Sequence, residues 1–400
     1  MSLEIEMHSK NNILEQKISE EKINISTPDD KIPLKVLYYS FKKYKRSNLY
    51  CELVQYVIFL ALFIYLNLNI MDIPTAYQQN SIIYDHFLDE EFEDANYKKT
   101  FFDVGNINEY YDWLEGPFYN GLFQKNIVIE YNIPIGGIFI RQSRIKHKKC
   151  NFLKNNGYCF NSFNSDNRFI GTFQNKTCEA NIYPQLYGKA EYGQNYGRDG
   201  CVIYIPINET IALEKISEIR NNKWIDNSTR AVAIYINLYN LNTKLLTNVR
   251  FMYELFPSGY SLPSYRIISM PYNPDGYLLS IFTTCIAFSI GVLYFIYIEF
   301  KEYRNKKKKS EYFLSKWNII ECFNLLLFVS VIAIFLYWKY NINKDEYLIT
   351  ISNKSDSFDF YSDSYLFYHI GLLSATCCLV SFIKIFKYLR LNRRLKLLWD

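Results

Sequence analysis

A chain of 400 residues that is 49% hydrophobic and only mildly basic at +5 matches a soluble two-domain protein in its totals. So modest a charge gives no reason to expect a nucleic acid partner. Totals average over blocks, and four blocks here exclude a wholly soluble protein: residues 53 to 66, 277 to 298, 319 to 338 and 365 to 383 are apolar runs almost free of charge.

A helix needs about 20 apolar residues to cross a bilayer core, a length that the last three runs reach. The first is shorter, and Asn67 to Ile73 extends it with alternating polar and apolar residues, so the first transmembrane helix is expected over 53–71. The remaining segments are then a 1–52 N-terminal stretch, a large insertion at 72–276, and three further transmembrane helices within 277–400.

Cations orient these spans. Lys42, Lys43, Lys45 and Arg46 precede the first run; Lys301, Arg304 and Lys306 to Lys309 separate the second from the third; Arg390, Arg393, Arg394 and Lys396 follow the fourth. The positive-inside rule makes all three segments cytoplasmic, with both termini inside and four spans alternating. The first 35 residues are polar and carry no cleavable signal pattern, so the first run reads as an uncleaved anchor. Beyond it the acidic residues Asp72, Asp85, Asp89, Glu90, Glu91, Glu93 and Asp94 fall outside.

Four of the nine cysteines (Cys150, Cys159, Cys178, Cys201) lie in the insertion, an oxidising location if that segment is lumenal or extracellular. Sequence allows three pairings; Cys150 with Cys159 is favoured because the short polar loop between them would otherwise be a mobile excursion. Glycosylation sequons at Asn175, Asn208 and Asn227 share the segment, and Asn353 lies in the other outer loop, whereas Asn24 would be cytoplasmic. The insertion is too long for a linker and must carry its own core. Ala231 to Tyr239 and Leu246 to Phe256 alternate as strands do, while Glu209 to Asn221 has the spacing of an amphipathic helix, so an α+β domain is expected. Trp113, Trp224 and Phe256 are its expected aromatic core residues. The Tyr and Gly stretch Tyr187 to Gly200 lacks the strand-to-helix context of a phosphate loop and reads as a turn region.

Five segments occur in a familiar order: Trp113 to Phe123 (WLEGPFYNGLF), Pro134 to Arg144 (PIGGIFIRQSR), the Tyr and Gly stretch, Trp224 to Ala231 (WIDNSTRA) and Glu254 to Ser264 (ELFPSGYSLPS). With Ser315 to Glu321 (SKWNIIE) and Phe382 to Arg393 (FIKIFKYLRLNR), they resemble the extracellular domain and the third and fourth helices of the polycystin family of cation channels, over roughly residues 36–400. The resemblance implies a voltage-sensor-like membrane helical bundle of four transmembrane helices with an inserted α+β extracellular polycystin domain. It also implies a calcium-permeable, non-selective subunit of a homo- or hetero-tetramer with a ring of outer domains, in the plasma or ciliary membrane or the endoplasmic reticulum. Family subunits continue into a fifth helix, a pore loop and a sixth helix, which are not expected in these 400 residues. A regulatory or assembly subunit without a pore, or a surface binding protein that uses the outer domain, is the alternative.

Lys384, Lys387, Arg390 and Arg393 recur every third residue, as charges do on a voltage-sensing helix, although a cytoplasmic flank of snorkelling cations has the same spacing. Glu321 in the third run is an ionisable residue near the cytoplasmic end of its helix, costly within the membrane unless paired; its expected partner is Lys384 or Lys387, although a side chain that simply reaches cytoplasmic water fits the same position. Lys306, Lys307, Lys308 and Lys309 suit contact with anionic lipid headgroups, at about 1 kcal/mol per cation, although topogenic charge alone explains them equally well. No HExxH, GxSxG, Walker loop or CxxC occurs, so neither an enzyme nor a cofactor is expected; the adjacent Cys377 and Cys378 read as packing residues, and Asp356, Asp359 and Asp363 as a solvated loop rather than a metal site. Protease added to intact cells should cut within 72–276 and spare 299–316. Cleavage near Lys306 would overturn this topology.

Overall fold

A computed structural model describes residues 34–93, 97–124, 130–150, 157–179, 194–272, 279–306, 309–342 and 360–389. The chain divides into two compact units, Met1–Tyr56 with Tyr388–Asp400, and Val57–Lys387. In the first, Tyr56 packs its ring 6.3 Å from that of Tyr388.

Helix α1 spans Leu34–Met71. It begins inside the stretch expected to precede the first transmembrane helix, because Leu34 to Cys51 contains neither Pro nor Gly to stop it. At 1.5 Å per residue its 38 residues reach about 57 Å, well beyond a hydrocarbon core of about 30 Å. Its polar residues return hydrogen bonds to their own helix: Asn67 Nδ2 donates to the Phe63 carbonyl at 2.8 Å, and Asn69 Nδ2 to that of Tyr65 at 2.7 Å. Asp72 then adopts a left-handed conformation (φ 39°), and Pro near the start of the next helix marks the break.

Helix α2 (Ile73–Phe87) leads into the inserted domain. There follow β1 (Phe92–Glu93), β2 (Lys98–Lys99), α3 (Ile107–Trp113), a π-helical turn over Leu114–Phe118, α4 (Tyr119–Phe123), β3 (Asn132–Arg144), β4 (Lys148–Lys149), β5 (Tyr158–Cys159), β6 (Gly171–Phe173), β7 (Lys176–Glu179), β8 (Gly200–Ile205), α5 (Glu209–Asn221), β9 (Thr229–Asn240), β10 (Leu245–Leu255) and β11 (Ser261–Pro271). Seven strands form one antiparallel sheet in the order β11-β10-β9-β3-β8-β7-β6. Both ends of α5 agree with the spacing read from the sequence, and the Asn208 side chain caps it by accepting from the Ile211 amide at 3.2 Å.

The central strand β9 departs from a half-buried alternation, since all twelve of its residues are buried. Val232, Ile234, Ile236 and Leu238 join a large core with Trp113, Trp224, Phe87 and Phe251. Their neighbours Ala231, Ala233 and Tyr235 join a second core on the other face with Phe139, Tyr196 and Met252. Both faces of the strand are buried because the sheet is covered on both sides. Trp113 is fully buried and donates its Nε1 to the Phe87 carbonyl at 2.9 Å, while Trp224 is 2% exposed. Phe256 is not a core residue: it is only partly buried at the turn between β10 and β11, tilted against Tyr260 at 6.0 Å, because the turn carries it off the sheet. The disulfides join Cys150 to Cys159 across β4 and β5, and Cys178 to its register partner Cys201 on β8, a pairing that the sequence left open.

Three long helices complete the chain: α6 (Leu279–Asn305), then after short α7 (Lys309–Phe313) α8 (Lys316–Ile342), and α9 (Tyr361–Leu389). With α1 they are long and apolar enough to cross a membrane. Phe59 and Phe63 of α1 stack on Phe288 of α6 at 5.2 and 5.1 Å and meet Phe328 of α8 edge-on at 5.1 and 5.0 Å. Gly291 permits this approach, since a Cβ there would meet Phe59 at 2.9 Å. The sheet grips two of the helices. Gln79 of α2 donates to Thr247 on β10 at 2.6 Å, and Arg250 of β10 donates to the hydroxyl of Tyr361, the first residue of α9, at 3.1 Å.

Trp113→Ala should destabilise the folded domain by about 3 to 5 kcal/mol, whereas Phe256→Ala should cost well under half of that; thermal unfolding of the detergent-solubilised protein measures both. A second outcome concerns Glu254, buried on β10. Burial raises its carboxyl above the ordinary value of 4.5, only partly offset by the hydrogen bond from Tyr196 at 2.9 Å. Because the folded state holds this proton more tightly than the unfolded chain, its contribution to stability is greatest below about pH 4.5 and is lost as pH rises through the folded value. Glu254→Gln should flatten that decline in the melting temperature.

Candidate functional site: a charge cluster within the helix bundle

Helix α8 is apolar over most of its length, so its few polar residues stand out: Asn318, Glu321 and Asn324 recur at a spacing of three and all are buried. That spacing puts them on one face of the helix. Glu321, 2% exposed, is met by two lysines of α9. Lys387 Nζ donates to Glu321 Oε1 at 2.7 Å, and Lys384 Nζ stands 3.4 Å from the same oxygen. Lys384 is itself 5% exposed, and its ammonium lies 5.4 Å from the centroid of Phe295 on α6.

A second carboxylate enters from α6. Glu299 lies one turn beyond Phe295, beside Glu321 and Lys384, and accepts a hydrogen bond from the Tyr312 hydroxyl at 2.6 Å. Tyr312 sits on α7, and its carbonyl accepts from Asn318 Nδ2 at 3.2 Å, so the α6–α8 connection is tied into the cluster. Two carboxylates and two ammonium groups therefore share one site, with Glu321 and Lys384 buried and Glu299 and Lys387 half-buried, and their formal charges cancel. An isolated charge in such surroundings would be expelled by its desolvation cost, whereas paired groups recover most of that cost. One turn further along α8 from Glu321, Asn324 Oδ1 accepts from Ser381 Oγ at 3.1 Å and from Cys377 Sγ at 3.7 Å.

Of the charged residues singled out from the sequence, Glu321, Lys384 and Lys387 thus converge on one point, with both lysines as partners rather than one. Arg390 and Arg393 fall outside the described residues, as do Asn353, Lys307, Lys308, Asp356 and Asp359. Lys306 is exposed and 3.8 Å from Glu302, and Lys309 is exposed with its ammonium 5.7 Å from the Tyr303 ring. Asn175, Asn208 and Asn227 are all exposed on the inserted domain, and Asn175 occupies the β6–β7 turn at φ 59°. Cys377 is a packing residue, as read, but a polar one. Sequence reasoning missed Glu299, Phe295, Tyr312 and Asn324. The signal available for Glu299 was a carboxylate closing an apolar run, and for Asn324 its three-residue offset from Glu321.

Comparison with known proteins fits this architecture. The polycystin domain model matches residues 100–271 and the polycystin cation channel model residues 273–399. Polycystin-2-like protein 2 of Mus musculus is 25% identical over 369 residues, covering 85% of this chain and 58% of its own length. Polycystin-2 of Danio rerio is 24% identical over 86% of this chain and 40% of its own length, and polycystin-2 of Caenorhabditis elegans is 24% identical over 86% and 50%. The chain thus spans between 40% and 58% of the length of these relatives. With four spanning helices, a mainly antiparallel sheet domain inserted between the first and second of them, and adjoining family models running from residue 100 to 399, the chain belongs to the polycystin family of multi-pass membrane channel proteins.

Proposed function

We propose that the chain is a polycystin-type cation channel subunit in which α1, α6, α8 and α9 act as a voltage-sensing bundle within a calcium-permeable, non-selective tetramer. The observation that carries this is the pairing of buried Lys384 and half-buried Lys387 with one buried carboxylate inside a mainly apolar bundle. Charges held at membrane depth feel the transmembrane field, and each one that crosses it fully gains about 2.3 kcal/mol per 100 mV. A purely structural bundle gains nothing from such a pair, since a buried ion pair is often no more stabilising than apolar side chains of the same volume.

The positive-inside pattern supports cytoplasmic termini and an outer inserted domain, which suits two disulfides and exposed sequon residues Asn175, Asn208 and Asn227 as glycan acceptors. Exposed Lys306 and Lys309 at the cytoplasmic end of α6 suit anionic lipid headgroups. Assembly with other polycystin subunits in a plasma or ciliary membrane, or in the endoplasmic reticulum, agrees with the family.

Co-expression with a complete polycystin-2 subunit tests the reading. Lys384→Gln together with Lys387→Gln should make the voltage dependence of the mixed channel shallower. An unchanged slope, with normal surface labelling of the chain, would mean that the lysines only balance Glu321.

A further inference from the structure

The cluster has a polar extension on one side only. On α9, Ser374, Cys377, Ser381 and Lys384 recur at spacings of three and four, so they share one face, and they run alongside Asn324 and Glu321 of α8. Lys384 belongs to Glu321, while Ser381, three residues outward, belongs to Asn324. The same offset of three separates Glu321 from Asn324 on the facing helix. Two ladders with the same rung spacing can slide past one another by one rung and find partners again.

From this register we infer that Asn324 is a second station for the sensor: when α9 advances outward by three residues, about 4.5 Å, Lys384 leaves Glu321 and its ammonium donates to the Asn324 carbonyl oxygen now occupied by Ser381. The inference rests on the voltage-sensing reading above. Glu321 does not lose its partner in this step, because Lys387 moves into the place of Lys384. The amide oxygen is well suited to a station, because it accepts strongly from an ammonium yet carries no charge to trap it, so the advanced position is reachable and reversible. A second advance finds no further buried amide on α8. Beyond Asn324 the buried residues on the adjoining turns of α8 are Leu327, Phe328 and Val331, and Ser374 on α9 has a buried hydroxyl without a hydrogen-bond partner. The stroke is therefore limited to one rung.

Asn324 is thus a positioning residue for Lys384, and charge substitution separates this role from a structural one. In the mixed channel with polycystin-2, Asn324→Asp should favour the advanced state and shift the midpoint to more negative voltage, whereas Asn324→Leu should shift it to more positive voltage. The Asp effect should vanish in a Lys384→Gln background. Shifts of the same sign for Asp and Leu, or an Asp shift that survives Lys384→Gln, would overturn the station while leaving voltage sensing intact. Loss of voltage sensing itself would appear instead in the double glutamine variant of Lys384 and Lys387.

Should Asn324→Asp fail to reach the surface, disulfide trapping reads the same step. In a Cys377→Ser background oxidised with copper phenanthroline, Asn324→Cys should bridge to Lys384→Cys in cells depolarised by high potassium, and to Ser381→Cys in polarised cells. Peptide mapping that finds equal bridging at both potentials would refute the motion.

Discussion

A carboxylate at membrane depth must be neutralised, and the bundle is arranged around that requirement. Glu321 is 2% exposed, so its charge is tolerable only because α9 brings two ammonium groups to a single oxygen. The consequence runs outward. Lys384 lies over the face of Phe295; Glu299 brings a second carboxylate beside Lys384; Tyr312 holds Glu299 and ties the short α7 connection down. The aromatic stack of Phe59, Phe63, Phe288 and Phe328 fills the bundle elsewhere.

Much of this was legible in the sequence because the membrane imposes strong rules. A hydrocarbon core forbids unpaired backbone groups, so long apolar runs can only be helices, and the spans at α6, α8 and α9 could be located within a few residues. Glu321 and its lysines were legible for the same reason, since a charge in such a run is too costly to be incidental. The sheet was harder to read. Helix α5 announces both of its ends through Asn208 and the 3.6-residue rhythm, but β9 carries apolar residues on both faces and gives no polarity signal for which neighbour covers which side.

Where sequence and structure part, the causes are physical. Phe256 sits at the end of an alternating run, and pattern alone does not reveal that the strand ends at Leu255 and the turn carries the ring off the sheet. Apolarity alone bounds α1 too tightly, because helix propensity carries it back through a charged segment to Leu34. Glu299 and Asn324 depend on which helices lie side by side, and packing between helices is not written in the periodicity of any one of them.

The contact between Arg250 and Tyr361 gives the inserted domain a mechanical grip on the bundle. Tyr361 is the first residue of α9, yet its ring is buried in the second core of the sheet against Tyr235, while Arg266 of β11 lies over Tyr365 and Tyr368, one and two turns further along. One side chain is thus shared between the sheet domain and the helix that carries Lys384 and Lys387. Work done on either is felt by the other, and linkage makes the exchange symmetrical: a ligand that stiffens the sheet alters the energy of displacing the helix, and a displaced helix alters the affinity for that ligand by the same factor.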